Sequence, residues 1–160
     1  MLHGWLQRPH VAAWWGEPAS VDDLRADFLR RADEPRATRA FIAAAEGRDI
    51  GFVQLYRVHG AGDGWWEDET DPGARGIDQF LADEADLGHG LGRAMVRAFV
   101  DRLFADDPEA TVVQTDPSPD NARAIRCCAA AGFRAVGRVT TPDGAALLMT
   151  RRREPVAGPP

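Results

Sequence analysis

The sequence contains no lysine: all 19 residues of its Lys and Arg total are arginine. A Walker A phosphate-binding lysine, a Schiff-base lysine and a Ser-Lys catalytic pair are therefore excluded. Serine is nearly as scarce. Ser20 and Ser118 stand alone, neither in a G-x-S-x-G turn, which argues against a serine hydrolase. Cys127 and Cys128 are the only cysteines and are adjacent. They cannot supply a disulfide framework, and two helix neighbours point about 100° apart, which suits no shared metal. His3, His10, His59 and His89 show no ligand spacing, so no metal is expected. No run approaches the roughly 20 apolar residues of a membrane helix, and the start lacks the apolar core of a signal peptide. The expected compartment is the cytoplasm.

What is present fits one folded domain. A chain of 160 residues, 44% hydrophobic and 28% charged, has the balance of a globular protein. The expected domain spans residues 1–153, followed by a proline-rich tail over 154–160. The net charge of −6 is unevenly placed. Between Asp63 and Asp86 nine acids face one base, Arg75, a local charge of −8. Such a surface repels nucleic acid and anionic membranes and attracts polycations. Trp65 and Trp66 are embedded in it, and large aromatics in a charged loop point to a binding surface.

The hydropathy pattern predicts helical turns around residues 2–15. A helix follows, capped by Ser20, with Val21, Leu24, Phe28 and Leu29 as its apolar stripe, stopping near Asp33-Glu34-Pro35. Residues 38–46 and 49–58 read as a hairpin around Gly47-Arg48. A long loop over 58–75 and a strand over 77–84 lead into Gly88-His89-Gly90-Leu91-Gly92. An amphipathic helix then carries Val96, Phe99, Val100 and Leu103 on one face. After a break at Asp107-Pro108 come a strand over 111–115, the turn Asp116-Pro117-Ser118-Pro119-Asp120, and a helix capped by Asp120 or Asn121. Its predicted buried face is Ile125, Cys128, Ala129 and Phe133. Two strands around 134–139 and 145–150 close the chain across Thr141-Pro142-Asp143-Gly144.

A strand, a glycine cluster and a helix start present backbone N–H groups and a positive helix end, a cradle for phosphate. The dinucleotide fingerprint G-x-G-x-x-G fails, because the third position is Arg93. The second half of the chain is more specific. Asn121-Ala122-Arg123-Ala124 through Gly132-Phe133 resembles the N-x-x-A…G-F helix of the GCN5-related N-acetyltransferases. The segments Gly62-Asp63-Gly64-Trp65-Trp66-Glu67, Thr70-Asp71-Pro72-Gly73, Arg75-Gly76-Ile77-Asp78-Gln79, Gln114-Thr115-Asp116-Pro117-Ser118-Pro119 and Val139-Thr140-Thr141-Pro142-Asp143-Gly144 resemble aminoglycoside 6′-N-acetyltransferases of the type Ib lineage. Trp14-Trp15-Gly16 matches the same family, and the resemblance runs from about Trp5 to Met149.

That resemblance implies a mixed, mostly antiparallel twisted α/β sheet flanked by helices, with the superfamily's first strand missing before Leu2. It implies acetyl transfer from acetyl-coenzyme A to an amine of an aminoglycoside, conferring antibiotic resistance. Asp78 corresponds to the proposed general base. Leu87, Gly88, His89, Gly90, Leu91, Gly92, Arg93 and Asn121 correspond to the acetyl-coenzyme A site, and Trp14, Trp15, Asp63, Trp65, Trp66, Asp116 and Asp143 to surroundings of the aminoglycoside. The residues themselves agree: a polyaminated sugar calls for several carboxylates to orient its ammonium groups, and one to take a proton. Two departures stand out. Cys128 replaces the family's proposed general-acid tyrosine, and is either a proton donor or a packing residue. Leu87 stands where the superfamily often has Gln or Arg. The alternative functions are acetylation of another amine (a siderophore hydroxylamine, a polyamine or a protein) and non-catalytic binding of coenzyme A or drug. The expected state is a monomer, with a homodimer as the alternative.

Overall fold

The computed structural model describes residues 1–16, 20–32, 38–60, 62 and 64–154. Asp63, the predicted helix stop at 33–35 and the tail beyond Glu154 lie outside the described residues. In chain order the elements are α1 (Leu2–Leu6), α2 (Pro9–Ala12), α3 (Val21–Ala32), β1 (Arg39–Ala45), β2 (Arg48–Arg57), β3 (Ala74–Leu81), α4 (Leu91–Asp106), β4 (Val112–Thr115), α5 (Ala122–Ala130), β5 (Arg134–Thr141) and β6 (Gly144–Arg152). Six strands form one sheet in the order β1-β2-β3-β4-β6-β5, antiparallel except for the β3–β4 pair. The predicted mixed α/β sheet flanked by helices is the fold found.

Local chemistry explains the boundaries. Ser20 Oγ accepts the Asp23 amide at 3.1 Å and donates to its carboxylate at 2.6 Å, starting α3 as predicted. The β1–β2 turn is Glu46-Gly47, one residue earlier than read from sequence. Both residues have positive φ (51° and 75°), as a two-residue turn matching strand twist demands. Asn121, not Asp120, caps α5, its Oδ1 accepting the Ala124 amide at 3.0 Å. The final hairpin is longer than predicted, and the strand after the acidic loop begins earlier, at Ala74, and ends at Leu81.

The core lies where β2, β3 and β4 meet α4 and α5. Val96, Val100 and Leu103 are buried there as predicted, with Met95 added, while Phe99 packs at the margin. On α5 the predicted face needs one correction. Cys128 and Phe133 are buried, but Ala129 is exposed, and Ala131 fills the core instead. The helix turns Ala129 about 100° away from Cys128, and a methyl group loses little in water.

The parallel β3–β4 ladder has only three residue pairs, Ala74↔Val112, Arg75↔Val113 and Gly76↔Gln114. Beyond Gly76, β3 keeps pairing with β2 as far as Leu81, but no longer with β4. The two parallel strands part and leave a gap in the sheet.

Candidate active site

Side chains alternate across a strand, so Asp78 and Gln79, consecutive on β3, face opposite sides of the sheet beside that gap. Asp78 shares its face with Gln54 and Tyr56 of β2. Gln54 Nε2 donates to Asp78 Oδ2 at 2.7 Å, and the Tyr56 hydroxyl lies 3.5 Å from Oδ1. Tyr56 fits because Gly76, its cross-strand partner, has no side chain: a Cβ there would overlap the tyrosine ring. Burial, then the charges of Asp78 and Asp116, push the Tyr56 hydroxyl well above its ordinary pKa, so it stays protonated.

Asp116 follows β4 directly and Asp143 sits in the β5–β6 turn, yet both reach this cluster. Burial, with the charges of Asp78 and Asp143, raises the Asp116 carboxyl to about 7. Three carboxylates from three segments thus share one surface, and their mutual repulsion is a store of affinity for a cation. The tryptophan loop borders them. Trp66, at φ 53°, packs on the small core of Val58, Ala74 and Val112, and lies within 6.5 Å of Trp65, centroid to centroid. A Cβ on Gly64 would stand 3.4 Å from Pro142, so this loop touches the turn that carries Asp143.

The other acids of the run have different work. Glu69 accepts from the Asp71 amide at 2.8 Å and from the buried Gln114. Asp71 accepts from the Gly73 amide at 2.7 Å and the Thr111 hydroxyl at 2.6 Å, bonds that, Thr111 first, hold its carboxyl below the ordinary range. These two brace the loop against β4. Asp83 caps a single 3₁₀ turn at Glu84–Asp86, and Asp86 pairs with Arg48 at 2.7 Å.

Across the sheet, a cleft of about 420 Å³ is lined by Gln79, Leu81, Leu87 and Gly92, by Asn121 to Ala124, by Arg126 and Cys127, and by Trp14 and Trp15. Gly88 and Gly90 adopt φ of 83° and 84°, and α4 starts without a capping side chain, so its first amides are open to a ligand. His89 and Arg93 are exposed beside them, and Leu91 packs inward. Trp14 and Trp15 therefore line the cleft together with Leu87 and Gly92, which flank the glycine turn. Trp15 is fixed edge-on against Phe52 and Phe80, at 5.7 and 5.2 Å. It also lines a second hollow of about 280 Å³ that reaches Gln54, the partner of Asp78. Cys128 is fully buried, with the Gln79 amide 3.6 Å from its sulfur, and burial pushes its thiol up to about 12. The thiol that lines the cleft is Cys127.

Sequence reading missed Gln54, Tyr56 and Gln79. Tyr56 is the one tyrosine of the chain, and Phe52, Gln54 and Tyr56 alternate along β2, so rarity and period were the available signals. Among the described residues no cluster of His, Cys, Asp and Glu could hold a metal, and no helix is long and apolar enough to cross a membrane.

A parallel strand pair that parts beside a glycine turn and a helix start defines an acyl-carrier site. Residues 1–141 match the Acetyltransferase (GNAT) domain, and the chain belongs to that family. It is 50% identical, over 96% of its length and 78% of the relative's, to the aminoglycoside N(6′)-acetyltransferase type 1 of Klebsiella pneumoniae. A kanamycin resistance protein of Rhizobium radiobacter is 61% identical over 90 residues, which span 56% of this chain and 82% of that protein. The crystal structure of the aminoglycoside acetyltransferase AAC(6′)-Ib with coenzyme A and kanamycin superposes with a TM-score of 0.89. Its identity is 50%, covering 96% of this chain and 88% of that one.

Proposed function

We propose that this protein is an aminoglycoside 6′-N-acetyltransferase that moves acetyl from acetyl-coenzyme A to a primary amine of the drug and so confers resistance. The observation that carries the reading is the convergence of Asp78, Asp116 and Asp143 on one side of the β3–β4 gap, with the glycine-turn cleft on the other. The donor lies in the cleft, its pyrophosphate on the amides of Gly88 to Arg93, and its acetyl end enters the gap. The polycation lies over the carboxylates, against Trp65 and Trp66. Asp63, outside the described residues, is a drug-binding carboxylate in this reading on the sequence resemblance alone.

The amine nitrogen attacks the thioester carbonyl, and its N–H becomes strongly acidic as the N–C bond forms. Asp78, oriented by Gln54, takes that proton directly or through water. The C–S bond breaks and coenzyme A leaves as thiolate. Cys128, held as a neutral thiol with a pKa of about 12, is a poor proton donor to an ordinary thiolate of pKa about 8.5. It acts as packing, and the thiolate is protonated from solvent. One domain over residues 1–153 performs the reaction, as a monomer in the cytoplasm.

The test is release of free thiol from acetyl-coenzyme A with kanamycin, tobramycin or spermidine as acceptor. Turnover with the drugs and little with spermidine is the expected result. Turnover with spermidine alone would replace the drug by a polyamine, and thiol release with none would leave a binding protein.

A further inference from the structure

The arginines of the described residues divide into partnered and unpartnered groups. Arg25, Arg30, Arg48, Arg75, Arg97, Arg102 and Arg151 meet carboxylates. Arg8 and Arg153 meet backbone carbonyls, and Arg39 lies over the Phe41 ring. Arg57, Arg93, Arg123, Arg126, Arg134, Arg138 and Arg152 meet none of these, and of that group Arg123 and Arg126 alone line the cleft. They are three residues apart on α5 and so share a face. Arg93 does not line the cleft, but it is exposed in the first turn of α4, close enough for its charge to act on the Cys127 thiol. The one acid lining the cleft, Asp120, makes no ion pair with Arg123 or Arg126.

Topology explains why this rim is positive in a chain of net charge −6. β3 and β4 run parallel, and each is followed by a helix, so α4 and α5 both begin at the same end of the sheet. The two helices touch: a Cβ on Gly92 would lie 3.3 Å from Cys127 Sγ. Two positive helix ends and the guanidinium groups of Arg123 and Arg126 therefore stand at one opening. The glycine turn satisfies a pyrophosphate with backbone amides alone. A phosphate monoester brings about −1.5 to −2 further charge and a set of oxygens that a guanidinium fork matches.

We infer that Arg123 and Arg126 are the binding site for the 3′-phosphate of the donor's ribose and make the enzyme select coenzyme A over its 3′-dephospho form. This deepens the acetyl-coenzyme A reading and rests on it. Both guanidiniums are exposed, so screening limits each contact, and the pair together accounts for about a tenfold preference at low salt.

Calorimetric titration of coenzyme A and of 3′-dephospho-coenzyme A into the parent, R123Q, R126Q, the double variant and R97Q tests this. R97Q removes the same charge from outside the cleft. The expected result is about tenfold tighter binding of coenzyme A by the parent, two- to fivefold loss in each single variant, no remaining preference in the double variant, and full preference in R97Q. If the double variant weakens both ligands equally, the arginines serve the pyrophosphate and the inference fails. If R97Q loses the preference as well, only the general field is at work, and the inference fails again. A parent that binds coenzyme A without preference overturns this inference alone. A parent that binds neither overturns the donor reading with it.

Discussion

The two sides of β3 are built from different materials. On the helix side, a contiguous stretch from Leu87 to Arg93 offers peptide N–H groups, and its glycines matter for what they lack. On the acidic side, Gln54, Tyr56, Asp78, Asp116 and Asp143 come from four separate segments, and only the finished sheet brings them together. A site built from backbone is written in local spacing and keeps its charge at every pH. A site built from gathered carboxylates has to hold like charges together, and it titrates.

The largest effect that would break this contrast is chemical. Asp78→Asn should lower kcat by about 10²- to 10⁴-fold while coenzyme A affinity, measured by calorimetry, stays unchanged. A parallel loss of donor binding would mean the two sides are not separate.

Next comes the glycine that serves the acidic side. Gly76→Ala places a Cβ into the Tyr56 ring, so the ring or the strand has to move. The expected cost is about 1–3 kcal/mol in urea denaturation, with the drug KM raised more than the donor KM. Gly90→Ala, at φ 84°, should reverse that order of KM effects.

Titration gives a third handle. Asp116 keeps its proton up to about pH 7 in the folded chain, against about 3.9 in an unfolded one. The folded state therefore binds the extra proton between these values, so stability falls as pH rises from about 4 to about 7. Asp116→Asn should flatten this slope, most visibly when denaturation at pH 5 is compared with pH 8. Drug binding at pH 6 should release a proton in the parent that the variant does not release, read from calorimetry in two buffers of different ionisation enthalpy. The smallest effect belongs to Asp143→Asn. Its exposed turn position predicts a rise of only a few-fold in drug KM, with the donor KM unmoved.

Legibility follows the same division. The glycine turn, the α4 stripe and the hairpins could be read because each is a local rule of period or turn chemistry. Cross-strand partners could not. That Gln54 meets Asp78, or that Gly76 clears space for Tyr56, depends on the β2–β3 register across the long loop between them. The acidic run misled by its uniformity. Glu69 and Asp71 brace the loop while Asp116, well outside the run, joins Asp78, and composition carries no record of which carboxylate finds an internal donor. The neighbours Cys127 and Cys128 were separable only by the phase of α5, which sends one thiol to the cleft and the other to the core.

The three-pair ladder between β3 and β4 has a mechanical consequence. It is the seam along which β1–β2–β3 and β4–β6–β5 join, and with the four-pair β4–β6 ladder beside it, it is one of the two short ladders in a sheet whose other strand pairs hold seven each. Peptide groups bordering the gap find no partner strand there, so a ligand with amides of its own can lie in the opening as a short substitute strand. With the donor bound as proposed, the seam should stiffen. Amide exchange along Ile77 to Leu81 should slow when coenzyme A binds, and the two halves of the sheet should unfold more nearly as one unit.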